Sequence, residues 1–251
     1  MADLERLPRR LSLWAAILTA ITAAVSLGTA ITTPPRSGPF CQGDCVGYPY
    51  ADVAAYVPRD YLWMYPAIVL MLLIMVLVQC IDYEIEPSRR LLSGVGLTLS
   101  AVGAGTLIID YAVQLTFVQP AVLVGETEGL SPWSQYNPHG VFIALENVGY
   151  GLLNLAFLFI GIAMLRAASR LWRAAAWVFA VGGGLTLALL VLYSAFYRVR
   201  LDYRFEVTAI GITWLVLIAA PVLLSIALVR TRPVQDQRAA DLEISDKSLP
   251  R

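Results

Sequence analysis

Histidine occurs once in this chain, at position 139, and lysine once, at position 247. A single histidine cannot supply a three-histidine zinc site or paired axial haem ligands. Lys247 lies beyond the last apolar run, so no lysine inside an apolar segment is left to anchor a retinal Schiff base. The chain also lacks a GxxxxGKS/T phosphate loop, an HExxH helix and a GxSxG elbow, and Ser93-Gly94 has no histidine partner for an intramembrane serine protease. Charge is scarce: 14% of the residues are acidic or basic and the formal net charge is zero. There is thus no basic face to displace counterions, and no nucleic-acid partner is expected. No cofactor and no metal is expected either.

What fills the chain is apolar. Of its 251 residues 58% are hydrophobic, and a mean hydropathy of +0.68 makes lipid the expected solvent. A hydrocarbon core of roughly 30 Å takes about 20 helical residues. Six segments meet that length: 11–32, 61–81, 91–118, 140–165, 171–197 and 205–229. The expected fold is an all-α polytopic transmembrane bundle of six spans over residues 1–229, followed by a charged, disordered cytoplasmic tail over 230–251. The first run is longer than a signal-peptide core and has no Ala-x-Ala closure, which predicts a retained helix.

Orientation follows from the basic residues, since short loops rich in Arg stay on the cytoplasmic side. Arg6, Arg9, Arg10, Arg89, Arg90, Arg166, Arg170, Arg173, Arg230 and Arg232 fall on one side, whereas the opposite side has Arg36 and Arg59 in its first loop and none in the loop 119–139. Both termini are therefore expected in the cytoplasm, although Arg198, Arg200 and Arg204 make the last external loop as basic as any internal one. Cys41 and Cys45 fall in the first external loop, where an oxidising compartment permits a bridge. Their CxxxC spacing reads as a structural turn-forming disulfide, with a redox pair as the alternative. The aromatic run 56–66 that follows reads as an interfacial belt, or as the mouth of a binding site. Asp60, at the start of the second span, is expected to complement exposed helix amides and nothing more.

Small residues mark the helix crossings. Gly94, Gly96, Ser100, Gly103 and Gly105 make the third span a central packing helix. Gly182-Gly183-Gly184 in the fifth reads as a close crossing, with local unwinding as the alternative, and Pro221 predicts a kink in the sixth.

Two carboxylates, Asp110 and Glu146, lie inside spans, where ionisable groups are costly and hence suspected of function. At about 1.5 Å per residue both fall in the same outer third of the bilayer. They meet if the third and fourth spans are neighbours. Polar residues accompany them: Gln114 stands four residues after Asp110, and Asn147, Tyr150 and Asn154 form a stripe with Glu146 beside it, while Glu206 is on the last span and His139 just before the fourth. Asp110, Glu146, His139, Gln114, Tyr150 and Glu206 are the candidate ligand-pocket residues; no catalytic residue is assigned. The alternative is that the carboxylates pair with Arg198, Arg200 or Arg204 and pin helix ends together. The two halves of the chain share no residue pattern of the kind that repeat-built transporters show.

Tyr48-Pro49-Tyr50, residues 58–66 (PRDYLWMYP), Asp110-Tyr111, Gln135-Tyr136-Asn137-Pro138-His139-Gly140 and Glu146 together resemble a group of uncharacterised prokaryotic six-helix integral membrane proteins. The resemblance covers most of the chain except its tail. It implies the six-helix fold and a place in the cell membrane, and it carries no activity and no functional residues. The leading expectation is an integral membrane protein that meets the lipid bilayer and binds a small or amphiphilic ligand in an outward-facing polar pocket. A structural partner docking through the glycine-rich third span, and a lipid-modifying membrane enzyme, are the alternatives.

Overall fold

The computed structural model describes residues 2–201 and 203–230. All regular structure among them is helical, and six helices are long and apolar enough to cross a membrane. Lipid offers no partner for backbone amides or carbonyls, and a helix satisfies both within one segment. The expected tail lies outside the described residues apart from Arg230, which ends the last helix.

The elements are α1 (Ala2–Ile31), α2 (Met64–Glu84), α3 (Arg90–Val113), α4 (Gln119–Val124), α5 (Val141–Met164), α6 (Arg170–Tyr197) and α7 (Arg204–Arg230). Each span matches an expected one, but two boundaries move. Helix α1 begins nine residues before the expected Leu11 and continues through Pro8 as one element. The third span does not stop at Val118: a π turn over Gln114–Val118 joins α3 to α4, and the rod ends at Gly125, whose φ of +81° suits glycine. Pro120 sits in the first turn of α4, where a missing N–H costs little. From Arg90 to Val124 the rod is about 50 Å long, so its α4 end stands proud of a bilayer core. There Val118, Ala121 and Val122 pack with Val53, Leu130 and Tyr136 into a small second core beneath the loops.

The spanning helices form a closed ring in chain order, α1–α2–α3–α5–α6–α7, with α7 returning to α1. Helix α5 also leans across the ring onto α7. Arg9 donates to the Leu228 carbonyl at 2.6 Å, so the two described ends of the chain meet at one end of the bundle. The opposite end carries the Cys41–Cys45 disulfide, which is formed as expected; it is called the disulfide end below.

Glycines set the closest crossings. A Cβ on Gly103 would come within 2.9 Å of the Gly149 carbonyl on α5, and one on Gly161 within 2.5 Å of the Ala180 amide on α6. Gly183 meets the Asn154 carbonyl more closely still, and α6 runs unbroken through Gly182-Gly183-Gly184, so this triplet is a crossing and not an unwinding. Of the small residues on α3, Gly96 and Gly103 face α5 while Gly94 and Gly105 face open space. Helix α7 continues through Pro221 as one element.

Candidate functional site

Three acids from three helices converge inside the disulfide half of the ring. Asp110 on α3 is 2% exposed, Glu146 on α5 0% and Glu206 on α7 8%. The α3–α5 contact brings the first two together, and the lean of α5 onto α7 brings in the third. The carboxyl groups of Glu146 and Glu206 are neighbours. Read as two carboxylates they have no donor between them, and Glu146 Oε2, Glu206 Oε2 and Asp110 Oδ2 are all unpartnered. Asp110 stands within electrostatic reach of both.

Tyrosines supply the donors this group has. Tyr111 donates to Glu146 Oε1 at 2.9 Å, and its hydroxyl lies 2.9 Å from that of Tyr150. The Trp214 indole nitrogen approaches the Tyr150 hydroxyl without an aligned bond. One turn further along α5, Asn154 donates to Thr213 Oγ1 at 2.7 Å and fixes α5 against α7.

No ion pair joins an arginine to the cluster among the described residues. Among the described residues the one ion pair joins Arg36 to Asp60, so the pairing of Asp110 or Glu146 with Arg198, Arg200 or Arg204 is not what the structure shows. Arg204 instead lies over the Tyr197 ring at 4.7 Å and donates to the Arg200 carbonyl.

Glu206 faces two ways. Behind it stands Glu146; in front, its side chain lines a cavity of about 350 Å³ at the disulfide end. Helices α1 and α7 form the sides, through Leu27, Ala30 and Ile31 on one and Val207, Ile210 and Gly211 on the other. Trp63, Phe142 and Trp214 give it aromatic walls, and Arg36, Ser37, Asp60, Gln135 and Tyr203 add polar groups. The Glu206, Ile210 and Trp214 positions recur every four residues, so one face of α7 supplies both the acid and the aromatic wall.

The polar side is held rigid from the loops. Arg36 Nε donates to Asp60 Oδ2 at 3.1 Å, and the Tyr136 hydroxyl donates to the same oxygen at 3.2 Å. The Arg36 guanidinium lies 4.0 Å from the centre of the Tyr56 ring. Asp60 is 1% exposed and its Oδ1 has no partner. Its place at the start of the second span was expected; its burial in an ion pair was not. Ser37 Oγ donates to the Tyr136 carbonyl at 2.7 Å, and Tyr203 reaches the Gln135 carbonyl at 3.1 Å. Burial, with Tyr61 and Asp60 alongside, raises the Tyr136 hydroxyl above its ordinary pKa, so it stays a donor. Burial raises Tyr203 as well, against the opposing bond from Ser37.

Of the six candidate residues, Asp110, Glu146, Tyr150 and Glu206 come together. Gln114 does not join them: its amide donates to the Trp133 carbonyl at 2.6 Å and anchors the α4–α5 loop. His139 is exposed, with Nε2 3.2 Å from the Val199 carbonyl, and it does not line the cavity. The helix entrance it occupies lies on the outer rim, beside the α6–α7 loop. Sequence reasoning passed over Arg36, Asp60 and Tyr111. The signal for Asp60 and Tyr111 is an acid or hydroxyl set among large aromatics at the bilayer edge, and for Arg36 there is none.

Among the described residues no three His, Cys, Asp or Glu side chains converge closely enough to hold a metal ion. Fold and site together define a multi-pass helical membrane protein with a buried carboxyl cluster backing onto a mostly apolar cavity. No protein-family model, curated protein or solved structure matches the chain.

Proposed function

We propose that this protein binds a small amphiphilic ligand in the cavity between α1 and α7. The observation that carries the reading is the cavity's composition: aromatic and aliphatic walls from α1, α5, α7 and Trp63 just before α2 surround Glu206 and Asp60, whose Oε2 and Oδ1 are buried without partners. Buried polar atoms without partners cost stability, and a bound molecule with a polar end relieves that cost. About 350 Å³ is the size of a small-ligand pocket and far too small for a peptide chain. The apolar sides supplied by two adjacent spanning helices suit a ligand that partitions into lipid.

The distribution of arginines supports cytoplasmic termini, which turns the disulfide end and the cavity outward. The residues shared with the prokaryotic six-helix group support membership of that group and a bacterial inner or plasma membrane as the location.

Gly211 tests the reading. It lines the cavity, and a Cβ built on it meets nothing within 4 Å, so Gly211→Phe fills the space without a backbone clash. Purified full-length protein in maltoside micelles is titrated calorimetrically with 4-phenylbutan-1-ol. Saturable binding in the wild type that is lost in a folded Gly211→Phe variant supports the proposal. Equal binding by both, or none by either, refutes it.

A further inference from the structure

We propose, resting on the reading of the cavity as a ligand site, that its ligand carries a positively charged head, a protonated amine on an apolar tail, and that Glu206 is the counter-ion. Among the residues lining the cavity the charged side chains are Arg36, Asp60 and Glu206. Arg36 is already engaged, bonded to Asp60 and stacked on Tyr56. The acceptors of charged lining residues left without partners are Asp60 Oδ1 and Glu206 Oε2, on residues 1% and 8% exposed.

Behind Glu206 the polarity does not reverse. Glu146 adjoins it and Asp110 lies within electrostatic reach, and among the described residues no arginine pairs with either. An anionic head at Glu206 would meet three acids, none of them joined to an arginine by an ion pair among the described residues, a like-charge arrangement that low polarity makes severe. A neutral head leaves the buried acid uncompensated. A cation offsets it, and the faces of Trp63, Phe142 and Trp214 suit an alkylammonium group, which aromatic rings attract. Gln135 Nε2 and Trp214 Nε1, buried donors without partners on lining residues, have the opposite preference, and neither carries a charge.

The test uses the full chain in maltoside micelles and three probes that share one tail: 4-phenylbutylamine, 4-phenylbutan-1-ol and 4-phenylbutyrate. The amine is expected to bind about tenfold or more tighter than the alcohol, the scale of one desolvated charge contact, and the carboxylate not to bind. Glu206→Gln is expected to abolish the amine's advantage while leaving alcohol binding in place. A second arm adds phosphatidylethanolamine to the micelles. Competition with the amine assigns the head to a lipid headgroup, and its absence assigns a free amine; both are compatible with the cationic head. If the alcohol binds as tightly as the amine and Gly211→Phe abolishes both, the cavity stands and the cationic head is refuted. If no probe binds the wild type, the cavity reading falls and this inference with it. The wild-type series decides the matter even if Glu206→Gln fails to fold.

Discussion

The Tyr111 hydroxyl, buried between α3 and α5, donates to Glu146 Oε1 at 2.9 Å. It is the one side-chain donor aligned on the Glu146 carboxyl among the described hydrogen bonds, and Tyr111 is 0% exposed. Removing it leaves a fully buried carboxyl oxygen without a donor, which costs about 1–3 kcal/mol. Tyr111→Phe should therefore lower the thermal midpoint of the purified protein clearly. Tyr83→Phe, at a side chain 62% exposed, should leave it unchanged. Equal midpoints for the two variants would remove the bond from the account of stability.

The Arg36–Asp60 pair predicts a larger effect. Arg36→Ala strands Asp60 as a buried charge held only by Tyr136, and breaking one side of a buried pair costs about 3–5 kcal/mol. The double variant Arg36→Ala, Asp60→Asn should recover part of that loss, because the stranded charge is gone as well. Chemical unfolding of the four proteins of this cycle measures the coupling. Additive losses would mean that the pair is not coupled.

Glycines on a single helix should separate into two kinds. A methyl group at Gly103 meets the backbone of α5, whereas one at Gly105 meets nothing within 4 Å. Gly103→Ala should destabilise by about 1–3 kcal/mol, the usual cost of overpacking, and Gly105→Ala should be neutral or slightly stabilising through helix propensity. Thermal unfolding distinguishes them, and the reverse order would contradict the assigned crossing face of α3.

Alkaline pH should weaken the loop cap. Burial holds the Tyr136 and Tyr203 hydroxyls above their ordinary value, while in the unfolded chain they ionise near about pH 10. Above that pH the folded state keeps protons that the unfolded state has lost, so stability is intact below about pH 10 and falls as pH rises further. Unfolding midpoints followed across that range should fall less steeply in Tyr136→Phe than in the wild type. Parallel curves would show that Tyr136 does not contribute to the loss.

The six spans were legible because each is an apolar run of membrane length bounded by Pro, Arg or Asp. The level shared by Asp110 and Glu146 was legible for the same reason, since counting residues along a rod gives depth. Azimuth around the rod was not. Gln114 follows Asp110 by four residues, yet a π turn begins there and its amide serves the loop. His139 has the right depth and lies on the rim. Arg36 and Asp60, 24 residues apart across a loop without periodicity, meet only through the packing of Tyr136 and Tyr56 around them. The third span runs past its expected end at Val118 because a π turn carries the chain on into α4 as far as Gly125.

Photolabelling tests the central claim most directly. A trifluoromethyl-diazirine derivative of 4-phenylbutan-1-ol is photolysed with the reconstituted full-length protein, and the adducts are mapped by peptide mass spectrometry. The account predicts adducts on the peptides carrying Trp63 and residues 206–214, suppressed by excess unlabelled 4-phenylbutan-1-ol and missing from Gly211→Phe. Adducts on exposed α6 positions such as Trp177 and Val181, indifferent to competitor, would contradict it.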